Sequence, residues 1–242
     1  MNIAVIFAGG VGTRMNSKEK PKQFLEVYHK PIIIHTLDVF EKHELIDAIV
    51  IACKEEWIEY LEDLIKKYHI DKVKKIVPGG ETGQKSIYNG LLAAKSVCDE
   101  QNEENAVVLI HDGVRPIIDE ETITLNIQSV EKNGSAITTG RVTETLLVID
   151  EKSSAIENVP DRSASRLAKA PQSFFLNDIL KYHEKARAEG RFDFIDTCTL
   201  MSHYGFKLTL VDGPINNIKV TTPLDFYLMR AMFEAIENEQ LL

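Results

Sequence analysis

Hydrophobic residues run with little polar interruption at NIAVIF (2–7), IDAIVIAC (46–53) and AVVLIHD (106–112), with a shorter run at VKKIVP (73–78). Strands without polar alternation are expected where both faces of a sheet are covered, as in parallel sheets. Between them the apolar positions recur at helical spacing: PIIIHTLDVFEKH (31–43), EEWIEYLEDLIKKYH (55–69), KSIYNGLLAAKSV (85–97) and a segment from about Glu120 to Asn133. Strand and helix in turn predict an α/β three-layer sandwich over residues 1 to about 135. The rhythm then changes. Residues 135–159 hold short, alternating, β-branched segments between turn residues, which predicts a projecting β-arm over about 137–160. Helices are expected at 173–189 and 195–205, with Gly205 at a stop position, and strands at 207–213 and 216–221. A closing helix over 222–240 has Thr222 as N-cap, Pro223 at its first position and Asp225 in its first turn. All of this fits one domain, 1–242.

Composition narrows the function. At 44% hydrophobic and 27% charged residues, the chain is neither disordered nor membrane-like. No apolar stretch approaches the roughly 20 residues of a membrane span, and the first residues lack the pattern of a secretion signal. A net charge of −9 argues against a nucleic-acid binder. Cys53, Cys98 and Cys198 are far apart and form no CxxC, so they read as buried thiols in a reducing compartment. A cytoplasmic protein is expected.

The candidate chemistry begins at IFAGGVGTRMNSKEKPKQF (6–24), where a strand-like run ends in Gly9, Gly10 and Gly12, followed by Arg14 and Lys22. A dinucleotide loop needs a third glycine where this chain has Met15. A P-loop needs G-x-x-x-x-G-K-[ST], which does not occur. What remains is either a plain strand-to-helix turn or an anion cradle of backbone N–H groups with two added positive charges. Arg14 and Lys22 favour the cradle.

The segment AGGVGTRM…PKQF resembles the N-terminal signature of the polyol-phosphate cytidylyltransferases, the ribitol-5-phosphate and 2-C-methyl-D-erythritol 4-phosphate enzymes. PGGETGQKSIYNGL (78–91), IHDGVRPII (110–118), VPDR (159–162), APQSF (170–174), IDTCT (195–199) and NNIKVTTPLD (216–225) follow in the family's order across nearly the whole chain. The resemblance implies a Rossmann-like nucleotidyltransferase fold, mostly parallel with a projecting arm. It also implies transfer of CMP from CTP to a small polyol phosphate, with Mg²⁺ and release of pyrophosphate. Such a transfer needs positioning and charge neutralisation more than covalent help.

By that resemblance Arg14, Lys22 and Lys219 are the catalytic cations. Ala8, Gly9, Gly10, Gly12, Gly79, Gly80 and Ser86 form the nucleotide site, and Asp112 holds Mg²⁺. Thr145 and Arg162 on the arm, with Asp196, bind the acceptor, often across a dimer interface, so a homodimer is implied. Arg115 is expected as a structural or ribose-side partner. His111 reads as a packed histidine, since no serine or cysteine nucleophile stands in a recognisable elbow.

Two segments depart from the family. Gly83 and Gln84 stand where an arginine is usual, and Ala170 stands where a threonine helps bind the acceptor phosphate. The spacing of Arg14 and Lys22 and the helix EEWIEYLEDLIKKY resemble the ribitol branch, which favours ribitol 5-phosphate over methylerythritol 4-phosphate. Ribitol 5-phosphate would link the chain to teichoic acid or capsule synthesis, methylerythritol 4-phosphate to isoprenoids. A catalytically degenerate nucleotide-binding module is the alternative of another class. The joint presence of Arg14, Lys22, Asp112 and Lys219 speaks against it.

Overall fold

The computed structural model describes residues 1–10 and 20–238. Its centre is a seven-stranded sheet, and the apolar runs supply the middle of it. β1 (Asn2–Ala8), β4 (Ala48–Cys53), β5 (Val73–Pro78) and β6 (Val107–Asp112) are parallel, with β1 between β6 and β4. β2 (Glu26–Val27) and β3 (Lys30–Pro31) form a small separate ribbon. The sheet continues beyond β6 through β10 (Arg166–Phe175), antiparallel to both its neighbours, then β7 (Ser135–Arg141) and β11 (Leu210–Asp212).

Both faces of the sheet are covered, which is why its strands lack alternation. Ala4 and Ile6 of β1 pack with Ile49 and Ile51 against α1 (Ile32–Lys42), α2 (Ile58–Tyr68) and α4 (Glu120–Asn133). Ile3 and Val5 point the other way, against α3 (Gly83–Gln101), α5 (Leu176–Ala188) and α6 (Thr197–His203). Each fully buried aliphatic side chain in these layers is worth about 1.5–3 kcal/mol. A third cluster, Val27, Ile32, Val114, Ile117 and Val220, seats α7 (Pro223–Glu237) through Met229 and Phe226. Thr222 and Asp225 form the expected capping box at its start. Among the described residues no helix is long and apolar enough to cross a membrane.

Three expectations need correction. The arm begins after Arg141, because Ser135–Gly140 is buried and lies inside the sheet. Its polar residues bond internally rather than to water: Thr138 Oγ1 accepts from Asn126 Nδ2 (2.9 Å), and Ser135 Oγ donates to the Lys207 carbonyl (3.0 Å). The arm itself contains β8 (Val148–Ile149) and β9 (Ile156–Asn158), a small exposed hairpin. Ser173–Phe175, expected in a helix, finish β10, and α5 starts at Leu176. Residues 216–221 are a loop, not a strand. Several of the loop's polar groups pair with side chains instead: Arg115 Nη1 donates to the Asn217 carbonyl (3.0 Å) and Lys22 Nζ to the Val220 carbonyl (2.8 Å).

Candidate active site

The strand order reverses direction at β1. From it the chain moves outward to β4 and β5, then returns to β6 on the other side. Ligand crevices in open α/β sheets form at such a reversal, outside the carboxyl ends of the strands. A cavity of about 690 Å³ opens there. Ala8 at the end of β1 with Gly9 and Gly10 after it, Lys54 after β4, Gly79 and Gly80 after β5, and Asp112 at the end of β6 all line it. Lys22, Ser86 and Lys219 join them from other elements.

The glycine wall has a steric cause. A Cβ on Gly80 would stand 2.3 Å from Lys85 Cβ, so no side chain fits that turn. A Cβ on Gly9 would stand 3.0 Å from Ser86 Oγ, and one on Gly79 3.2 Å from it. Ser86 is the post around which these backbones pack. Its hydroxyl accepts from Gly80 N (2.9 Å) and donates to the Thr82 carbonyl (3.0 Å), so it shapes the wall as well as lining it.

Asp112 is the electrostatic centre. It is 4% exposed, with Oδ2 accepting from Arg115 Nε (2.8 Å) and Oδ1 2.5 Å from Lys219 Nζ. Burial alone would raise its pKa; Lys219 and then Arg115 overcome that and hold it at about 2. The carboxylate is therefore ionised throughout the physiological range. His111 beside it is fully buried against Phe40, and burial lowers its pKa to about 4. Its Nε2 lies 3.1 Å from the Arg115 carbonyl, which can only accept, so Nε2 carries the proton. It is a neutral packing residue, as the sequence suggests.

A second cavity of about 220 Å³ adjoins the first. Phe7, Gly83, Asp112 and Lys219 border both, so the two clefts meet at the Asp112–Lys219 pair. Asp196 lines the smaller cleft and caps α6: its Oδ1 accepts from Thr199 N (2.8 Å) and its Oδ2 from Gln172 Nε2 (3.0 Å). At Gly83 a Cβ would meet nothing within 4 Å, so the missing arginine leaves open space where the clefts join. Gln84 turns inward instead, bonding the Arg191 carbonyl (3.0 Å) and Phe194 N (3.1 Å).

The structure thus gathers Ala8, Gly9, Gly10, Lys22, Gly79, Gly80, Ser86, Asp112 and Lys219 in one cleft, with Asp196 in the next. Gly12 and Arg14 lie outside the described residues. Thr145 and Arg162 border neither cleft; both are exposed on the arm, where Arg162 Nη1 donates to the Thr143 carbonyl (3.1 Å). Sequence reasoning missed Gln23, whose Nε2 donates to the Ala8 carbonyl (2.7 Å) and so braces the end of β1. It also missed Lys169 and Thr197 in the smaller cleft.

Known proteins resemble this chain in sequence and fold. A family model described as IspD, 2-C-methyl-D-erythritol 4-phosphate cytidylyltransferase, matches residues 2–235. A ribitol-5-phosphate cytidylyltransferase of Streptococcus agalactiae serotype Ia is 54% identical over 241 residues, which cover 100% of this chain and 99% of that protein. A 2-C-methyl-D-erythritol 4-phosphate cytidylyltransferase of Clostridium botulinum strain 657 is 40% identical, over 97% of this chain and 98% of its own. The crystal structure of 4-diphosphocytidyl-2C-methyl-D-erythritol synthase from Anaerococcus prevotii superposes with a TM-score of 0.81 at 28% identity, over 96% of both chains.

Proposed function

The chain belongs to the IspD family of cytidylyltransferases, and from that premise we propose that it transfers CMP from CTP to ribitol 5-phosphate, releasing pyrophosphate. The observation that carries the acceptor is the gap between 54% identity to a ribitol-5-phosphate enzyme and 40% to a methylerythritol-phosphate one, each over nearly the whole chain. An oxygen of the acceptor phosphate attacks the α-phosphorus of CTP. The new P–O bond forms as the bond to the β-phosphate breaks, and pyrophosphate leaves with the electron pair.

The larger cleft suits CTP. Gly79, Gly80 and Ser86 would face the cytosine and ribose; the backbone at Gly9 and Gly10, with Lys22, would hold the triphosphate. The family motif assigns Gly12 and Arg14, which lie outside the described residues, to the same triphosphate. Lys219, at the meeting of the clefts, would face the α-phosphate, where a compact ammonium suits changing phosphate geometry. The smaller cleft, with Asp196, would take the polyol. Mg²⁺ fits the donor set. Asp112 offers one buried, ionised carboxylate beside room for a triphosphate, leaving the other positions of the cation to waters and phosphate oxygens. Among the described residues no group of three or more His, Cys, Asp or Glu could hold a metal unaided, so Asp112 would act together with the nucleotide. When bound, the ion neutralises charge on the phosphates.

The arm supports a homodimer. Leu147, Ile149, Ile156 and Val159 are exposed on it, an apolar surface that invites a second copy. In such a dimer Thr145 and Arg162 of one protomer would complete the acceptor site of the other, which fits their distance from both clefts. Charged, water-soluble substrates fit a cytoplasmic enzyme. The test is pyrophosphate release from CTP and Mg²⁺ with ribitol 5-phosphate or methylerythritol 4-phosphate. Faster turnover of the latter would reassign the acceptor, and silence with both would defeat the proposal.

A further inference from the structure

Lys169 sits where β10 leaves its regular ladder. Ala168 pairs with Thr139 and Gln172 with Ile137, so Lys169, Ala170 and Pro171 together stand opposite Thr138. Bulges re-aim side chains, and this one brings Ala168, Lys169 and Ala170 to the wall of the smaller cleft. The lysine stem runs over Gly140, where a Cβ would stand 2.8 Å from Lys169 Cε, so a side chain there would push the end of the lysine aside. Its ammonium donates to the carbonyls of Pro214 (3.0 Å) and Ile215 (3.1 Å). An ammonium has three donors, so one remains for an occupant of the cleft. The buried carboxylate nearby, Asp112, is paired with Arg115 and Lys219 rather than with Lys169. Burial, and then the like charge of Arg115, lower the Lys169 pKa.

Thr197 is the second observation. It is 2% exposed at the start of α6, lines the same cleft, and its Oγ1, itself shielded from solvent, has no hydrogen-bond partner among the described residues. Buried hydroxyls are ordinarily paired. An unpaired one just behind a cleft wall leaves a bond that a ligand pressed against that wall can supply.

We propose that Lys169 and Thr197 are acceptor-specificity residues that bind the hydroxyls of the polyol chain. The inference rests on reading the smaller cleft as the acceptor site. With the reacting phosphate at the Asp112–Lys219 junction, the carbon chain extends into this cleft. A chain with hydroxyls along its length answers both a spare ammonium N–H and a hydroxyl that can donate and accept. Ala170, where the family has a threonine, brings no hydroxyl to this wall, and Lys169 beside it supplies a polar group there.

The test measures KM for CTP and for acceptor separately in Lys169→Met and Thr197→Val. Lys169→Met should raise acceptor KM about tenfold or more, the loss of one charge-assisted hydrogen bond, with CTP KM nearly unchanged. Lys169→Arg should recover part of the loss. Thr197→Val should raise acceptor KM severalfold while its Tm stays at or above wild type, since the deleted hydroxyl bonds nothing in the free protein. Unchanged acceptor KM in both variants, or equal rises for both substrates, would overturn the assignment. If wild type prefers methylerythritol 4-phosphate, the ribitol reading fails, and the same KM split with that acceptor still decides the role of both residues. Turnover with no polyol phosphate would overturn both.

Discussion

Replacing Lys219 by methionine keeps the side chain's length and removes one charge from the meeting point of the two clefts. The ammonium lies 2.5 Å from Asp112 Oδ1, and its side chain is 40% exposed, so its field acts in a partly screened medium. At an effective dielectric of about 20, unit charges about 4 Å apart interact by about 4 kcal/mol. Only the part that grows as charge builds on the departing pyrophosphate accelerates the reaction. Preorganised donors aimed at such developing charge are worth about 10²–10³ in kcat, or about 2.7–4 kcal/mol. Lys219→Met should therefore lower kcat by about 10²–10³. The cost to the fold is smaller. Arg115 keeps its 2.8 Å bond to Asp112, and a half-exposed pair lies between the exposed and buried extremes, at about 1–2 kcal/mol. Pyrophosphate release at saturating CTP and acceptor, with thermal melts on the same preparations, separates the two effects. A kcat within about threefold of wild type beside a lowered Tm would refute the catalytic role, for a factor of three is under 1 kcal/mol. Lys219 would then be only a structural partner of Asp112.

Two further outcomes are expected. His183 is 1% exposed, stacks on Tyr88 and has no partner for either ring nitrogen among the described residues; burial lowers its pKa from 6.5 to about 4. As pH falls from 6.5 towards 4 the unfolded chain binds a proton that the folded chain refuses, so stability drops by up to about 3 kcal/mol for this group. His183→Phe should flatten that slope in urea midpoints measured across the range, leaving the part due to His111, and an unchanged slope would contradict the assignment. On the arm, Ile156 is 60% exposed. Ile156→Asp should halve the solution mass measured by light scattering, whereas a wild type already of monomer mass would remove the dimer.

The middle of the sheet is legible in the sequence because β1, β4 and β6 are covered on both faces, and full coverage leaves no polar alternation to confuse the pattern. β7 was harder for the opposite reason. Its Ser135, Thr138 and Thr139 look like solvent-facing positions, yet they bond to Lys207, Asn126 and Val211 inside the protein. A polar side chain with an internal partner reads in sequence like one facing water. The larger cleft could be read because its glycines, Lys22, Asp112 and Lys219 belong to local motifs. Lys169 could not, because its meaning depends on a bulge and on carbonyls 45 and 46 residues away. The alanine beside it, out of keeping with the family, was the one local sign.

The loop that carries Lys219 shows why so little of the site's work is visible along the chain. Between β11 and α7 it has no strand to hold it, yet it is anchored from several directions. Lys169 reaches Pro214 and Ile215, Arg115 reaches the Asn217 carbonyl, and Asn217 Nδ2 donates to the Ala170 carbonyl (2.7 Å). Val220 N donates to the Val114 carbonyl (2.9 Å), and Lys22 reaches the Val220 carbonyl. The anchors come from both clefts, with Lys22 on one side and Lys169 on the other. Electrostatic catalysis depends on charges fixed before the reaction begins, since reorienting them in the transition state would cancel the gain. A lysine on an unbraced loop would have to be ordered anew in each turnover. Here the side chains that line the clefts are also those that pin the loop, so a ligand bound there would meet residues already held in place.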